Sequence, residues 1–201
     1  MTQPYHPYIF KDGHFVGEFE TMYRDGSSQA FDPWFQDDVR AHPILALLDG
    51  IKASSVLDLG CGKGALTDAI RQRTGAANIR GIDCSPTAIR IAKQRYRGIA
   101  FQVANVPKAV RRWGNQDLVV ASEVLSYIPT WADVIADMLA TGKLICVGLF
   151  VPKNPSGYVP SHETLVKAIS SHGTITRAMD LGHDRVLYLA RAIPSGAGQG
   201  L

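Results

Sequence analysis

Short runs of β-branched and aliphatic residues alternate with longer stretches in which apolar side chains recur every three to four positions, from Ser54 to about residue 192. That rhythm predicts an array of βαβ units. Strands are expected at 55–59, 78–83, 99–103, 116–121 and 143–151, each a near-continuous apolar run of the kind that parallel strands covered on both faces require. Helices fall between them near 64–74, 86–96, 105–112 and 131–140. Ser85-Pro86 offers a cap and a first-turn proline, and Thr130 followed by Asp133 resembles a capping box with a shorter acid. A loop rich in proline and glycine (Pro152, Pro155, Gly157, Pro160) leads to a helix near 162–171 and two last strands, 174–179 and 185–190. Leu181 to Asp184 is too short for a crossover helix, so those two strands are expected to be antiparallel neighbours.

Residues 1–52 break the rhythm. They concentrate aromatics (Tyr5, Tyr8, Phe10, Phe15, Phe19, Tyr23, Phe31, Trp34, Phe35), too many for a solvated tail, and hold more acids than bases. Short helices folded back as a lid are expected there, with Asp32-Pro33 starting a turn that carries Trp34. The chain therefore divides into an N-terminal lid segment (1–52), a main domain (53–192) and a glycine-rich flexible tail (193–201).

Composition narrows the function classes. A net charge of +3 on 201 residues argues against a protein that coats a polyanion, and 46% hydrophobic content against disorder. The most apolar run, Leu144 to Val151, is far short of the roughly 20 residues that cross a bilayer, and Met1-Thr2-Gln3-Pro4 has no leader character, so a soluble cytoplasmic protein is expected. Cys61, Cys84 and Cys146 lack C-x-x-C spacing, and the six histidines lack metal-ligand spacing, so no disulfide framework or metal site is expected. His162 is a candidate base, although a surface place at a helix start fits it better. Between Lys63 and Arg112 stand eleven bases and two acids; this is either a nucleic-acid footprint or the solvated faces of three successive helices, and the second reading is preferred.

Chemistry concentrates at Val56-Leu57-Asp58-Leu59-Gly60-Cys61-Gly62-Lys63-Gly64, an apolar strand running into three alternate glycines at a helix start. With Ala65 the loop also satisfies the dinucleotide fingerprint G-x-G-x-x-G/A, so a nicotinamide cofactor stays open at this point. Asp58 argues against it, because a carboxylate beside the loop repels a pyrophosphate and suits a ligand with an ammonium group. S-adenosylmethionine carries both an ammonium and a sulfonium. Asp83 ends the next strand, where a carboxylate can accept from both ribose hydroxyls of either cofactor.

From Val56 to Asp83 the sequence resembles the donor-binding motifs of class I S-adenosylmethionine-dependent methyltransferases: Asp58, Gly60, Gly62 and Gly64 match D-x-G-x-G-x-G, and the resemblance extends over residues 54–191. It implies a Rossmann-like α/β fold, a seven-stranded sheet in the order 3-2-1-4-5-7-6 with the last strand antiparallel. It also implies a donor site formed by Asp58, Gly60, Cys61, Gly62, Gly64, Asp83 and Cys84, with Asn105 and Val106 against the adenine and Ser122 at the fourth strand's end. Phe19-Glu20-x-Met22-Tyr23, Asp32-Pro33-Trp34 and Ser122-Glu123-Val124-Leu125-Ser126-Tyr127 look like the small N-methyltransferases related to the nodulation aminosugar enzyme. Glu123 is the candidate to orient an acceptor ammonium or hydroxyl, with the alternative that it caps the following turn. Tyr23, Trp34 and Tyr127 are candidates to shield the sulfonium, or else plain core aromatics.

The expected activity is methyl transfer to nitrogen, less readily oxygen, of a small or sugar acceptor, with S-adenosylhomocysteine as product. No N/D-P-P-Y/F motif follows the fourth strand, which disfavours a flipped nucleobase as acceptor. The competing readings are an RNA methyltransferase, a nicotinamide-linked reductase and a donor-binding regulatory subunit without catalysis.

Overall fold

The computed structural model describes residues 6–25, 42–113 and 115–193. Helix α1 (His6–Ile9) leads into a two-stranded hairpin, β1 (Phe10–Lys11) and β2 (His14–Phe15), followed by α2 (Phe19–Arg24) and α3 (Pro43–Leu47). The βαβ array follows as β3 (Ser55–Leu59), α4 (Ala65–Thr74), β4 (Asn78–Asp83), α5 (Pro86–Arg95), β5 (Ala100–Val103), α6 (Val106–Trp113), β6 (Gln116–Ser122), α7 (Trp131–Thr141) and β7 (Gly142–Phe150). Helix α8 (His162–Ser170) and strands β8 (Gly173–Asp180) and β9 (Arg185–Ala192) complete it. The large sheet has the order β5-β4-β3-β6-β7-β9-β8, which is the expected 3-2-1-4-5-7-6 in this numbering. The last strand, β9, runs antiparallel to both β7 and β8.

Period-two alternation explains how the core divides. Leu57 and Leu59 of β3 face one way, joining Val119, Ile145 and residues of α6, α7 and α8. Val56 faces the other way, with Leu118, Val120 and Cys146, against α3, α4 and α5. Helix α3 lies in the described core, with Ile44, Leu45, Leu47 and Leu48 all buried. The N-terminal segment expected as helices thus also contains a hairpin, and its last helix is core rather than cover. Asp32-Pro33 and Trp34, like the tail from residue 194, lie outside the described residues.

Helix starts are only partly as expected. Ser85 caps α5, its Oγ accepting from the Ala88 N–H at 3.0 Å with Pro86 in the first turn. Thr130 makes no side-chain cap to α7, a correction to the capping-box reading. A reciprocal box does occur at α8, where Ser161 and Thr164 exchange bonds. No helix among the described residues is long and apolar enough to cross a membrane. Among the bases of 63–112, Arg71, Arg73 and Arg111 pair with Asp68, Asp49 and Asp137, while Arg80 and Arg112 stack on Trp113. These five partnered bases are spread over α4, β4 and α6.

Candidate functional site

Strand β3 connects onward through β4 to β5 on one side, and the chain then crosses to β6 on the other, so the carboxyl ends of β3 and β6 flank the point where strand order reverses. Open α/β sheets bind ligands there. A cavity of about 720 Å³ occupies this position, within the usual size of a small-molecule site.

At one end of the cavity the glycine loop is tied to the sheet, because the N–H groups of Gly60 and Cys61 both donate to the Ile82 carbonyl at 2.8 Å. Gly60, Gly62 and Gly64 have φ of +73°, +52° and +86°, a conformation that side chains with a Cβ resist. The three do different work. A Cβ at Gly60 would stand 2.7 Å from Val124 and one at Gly64 would stand 2.6 Å from the Phe101 ring, so these glycines let neighbouring elements close up. A Cβ at Gly62 would stand 2.9 Å from the Tyr23 hydroxyl, which brings α2 over the loop.

Asp83 stands in the same wall, 8% exposed, and is held by two amides: Gly62 N–H donates to Oδ2 at 3.0 Å and Ser85 N–H to Oδ1 at 2.9 Å. Burial pushes its carboxyl above the usual range, against the pull of those amides. Cys61, Cys84, Asn105, Val106 and Ser122 also line the cavity. Burial raises the Cys61 thiol well above its ordinary value and the Cys84 thiol to about 12, so neither is a thiolate at neutral pH.

Asp58 is placed differently from Asp83. The alternation that faces Val56 toward α4 faces Asp58 the same way, and its side chain is 1% exposed beneath the loop and off the cavity wall. It accepts a bond from Thr67 Oγ1, in the first turn of α4, at 2.6 Å. Burial raises its pKa to about 6, with Thr67 opposing and Asp83 adding to the rise. It therefore ties β3 to the first turn of α4 from a place behind the cavity wall. Its folded pKa exceeds the ordinary value, so it binds its proton more tightly folded than unfolded and its ionisation weakens the fold as pH climbs from about 4 to 6. Asp58→Asn is expected to match the wild type in stability near pH 4 and to exceed it by roughly 1–3 kcal/mol at pH 7. Urea unfolding at the two pH values checks this; a pH-independent difference would refute it.

The other end of the cavity is aromatic. Tyr127, in the short 3-10 turn Leu125–Tyr127, stacks on Phe15 with ring centroids 6.0 Å apart, meets Phe19 edge to face and lies tilted against Phe10. The Pro152–Gly157 loop closes the side. Glu123 forms the polar floor in a left-handed conformation, φ +54°, which is uncommon away from glycine and clusters at functional sites. Its Oε2 accepts from the Phe150 N–H at 3.0 Å and its Oε1 from Arg185 Nε at 3.1 Å. Burial raises its pKa while those two donors lower it. Neither alternative offered for Glu123 is complete, because it binds the ends of β7 and β9 instead of capping its own turn, and it still faces the cavity.

Arg185 and His42, both in the wall, were not singled out from the sequence. His42 caps α3 by accepting from the Ile44 N–H, and burial, helped by Arg185, lowers its pKa to about 4, so it is neutral at pH 7. His162 is off the cavity wall and contacts the Asp184 carbonyl, a surface role.

Residues 56–143 match a family model described as a methyltransferase domain. The trans-aconitate 2-methyltransferase of Methylobacterium nodulans is 33% identical over 134 residues, 64% of this chain and 50% of that protein. The chain spans about half the length of the curated relatives it matches. Among solved structures, the N-methyltransferase NodS of Bradyrhizobium japonicum, in complex with S-adenosyl-L-homocysteine, has 23% identity, a TM-score of 0.65 and coverage of 80% of this chain and 92% of that one. A chain of the complex formed by the Haloferax volcanii Trm112 methyltransferase activator has 16% identity, a TM-score of 0.71 and coverage of 87% of this chain and 97% of that one.

Proposed function

We propose that this chain, whose residues 56–143 match a methyltransferase-domain model, moves the methyl group of S-adenosylmethionine to a nitrogen of a small-molecule acceptor. One observation carries the reading: a single cavity runs from the glycine loop and Asp83 to the aromatic pocket over Glu123, giving room for donor and acceptor side by side. The donor's sulfonium supplies an activated methyl group. Asp83 and the walls formed by Cys84, Asn105 and Val106 hold the adenosine part, and the loop amides keep Asp83 aimed. Phe15, Phe19 and Tyr127 exclude water and favour a cation over their faces. Glu123 takes or orients the proton that an acceptor ammonium must lose before it can attack.

Oxygen as the acceptor atom is the second reading, favoured by Arg185 at the acceptor end, since a guanidinium suits a carboxylate. The names of the trans-aconitate relatives point the same way.

Titration calorimetry with S-adenosylhomocysteine and NADH on one preparation is expected to give micromolar-scale binding of the first, about −8 kcal/mol, and none of the second. A methylation screen over amines, aminosugars and polycarboxylates then separates nitrogen from oxygen. Binding of NADH alone would overturn the proposal; donor binding with no acceptor methylated would favour the regulatory subunit.

A further inference from the structure

Helix α2 reaches both halves of the cavity. Phe19, its first residue, packs on Tyr127 at the acceptor end with ring centroids 5.3 Å apart, and Tyr23, one turn on, stands over Gly62 at the donor end. Between them Glu20 points away from the cavity, toward the start of α5. Its Oε1 accepts from Thr87 Oγ1 at 2.7 Å, and its Oε2 accepts from the Thr87 N–H at 3.1 Å and from Ser85 Oγ. Helix α2 thus lends the first turn of α5 a carboxylate, where the helix dipole favours negative charge. Those bonds, Ser85's foremost, hold the Glu20 carboxyl below its usual range. Ser85 is shared, because its backbone N–H donates to Asp83. A bonded path therefore runs from the roof helix to the carboxylate assigned to the donor.

We propose that Glu20 is a positioning residue: by clasping Ser85 and Thr87 it fixes α2 over the donor and at the same time sets Phe19 against Tyr127, so a seated donor completes the acceptor pocket. The inference rests on the donor reading above. Its consequence is that loosening the clasp disturbs both halves of the cavity through one helix.

The test uses the full chain, with S-adenosylhomocysteine as probe. Without ligand, Glu20→Ala is expected to speed amide exchange in α2 while β3, β4 and β6 keep their protection. With ligand, its dissociation is expected to be roughly tenfold faster, as befits loss of charge-assisted bonds, and Glu20→Gln is expected to recover part of that. Thr87→Val, made on the other side of the clasp and off the cavity wall, is expected to shift dissociation the same way. The double variant Glu20→Ala/Thr87→Val is then expected to add little to Glu20→Ala alone, since both remove one interaction. Equal dissociation from wild type and Glu20→Ala, or fully additive effects, would overturn the proposal. Failure of the wild type to bind the probe would strike the donor reading instead, while the exchange experiment would still report on the clasp.

Discussion

Asp83→Ala is expected to weaken S-adenosylhomocysteine binding by roughly ten- to a hundredfold, about 1–3 kcal/mol. Two losses add. The donor forfeits the carboxylate that can accept from its ribose hydroxyls, and the Gly62 and Ser85 amides, at 3.0 and 2.9 Å, forfeit their acceptor in a nearly buried place. An unsatisfied Gly62 amide removes one of the loop's ties to the end of β4 and leaves the Gly60 and Cys61 bonds to Ile82, so part of the effect should appear as faster amide exchange at Gly62 in the free protein. Asp83→Asn separates the two losses: it keeps one carbonyl acceptor for an amide while removing the charge, and is expected to fall between wild type and alanine. Titration calorimetry on all three at one pH is the measurement. Unchanged affinity in the alanine variant would move the ribose contact to another residue.

The comparison with Asp58 gives that experiment its meaning. Both acids lie near the ends of apolar strands, and from the sequence both are expected beside the ligand. Asp83 is the last residue of β4 and reaches past the strand into the cavity wall, whereas Asp58 precedes the last residue of β3 and is turned under α4 to Thr67. A one-residue difference in position along the strand decides which carboxylate lines the cavity, and D-x-G-x-G-x-G spacing by itself does not reveal it. What the sequence does reveal well is whatever repeats locally. Unbroken apolar runs locate the parallel strands to within a residue or two, and the short Leu181–Asp184 link dictates the antiparallel end of the sheet. The site's remaining polar groups are joined over long separations, Glu20 to Thr87 across 67 residues and Glu123 to Arg185 across 62. No local pattern encodes such pairs. Glu20 and Arg185 look like ordinary solvated charges until the fold brings their partners near. The one local hint, an acid one residue after Phe19 in an aromatic-rich segment, says that the segment is amphipathic without saying what the acid faces.

Glu123→Gln is expected to lower kcat roughly a hundredfold while leaving S-adenosylhomocysteine affinity unchanged, the size of effect typical for loss of a positioned proton acceptor. Glutamine keeps an oxygen for the Phe150 N–H, so the left-handed turn at position 123 should survive and the loss should be chemical. Burial raises the pKa of Glu123, which makes it a better proton acceptor than an exposed glutamate, and Arg185 pulls it down again. If an amine is the acceptor, the wild-type rate should climb as pH rises through that raised value, and the climb should vanish in the glutamine variant. Arg185→Met removes the pull, so the same limb should move to higher pH. A carboxylate acceptor needs no proton removed, and the pattern then reverses: Arg185→Met raises KM far more than it lowers kcat, and Glu123→Gln leaves the pH profile unchanged. The two variants, read as a split between kcat and KM with pH, therefore distinguish nitrogen from oxygen even before the natural acceptor is known, because the ion pair on the cavity floor must give up a different member in each case.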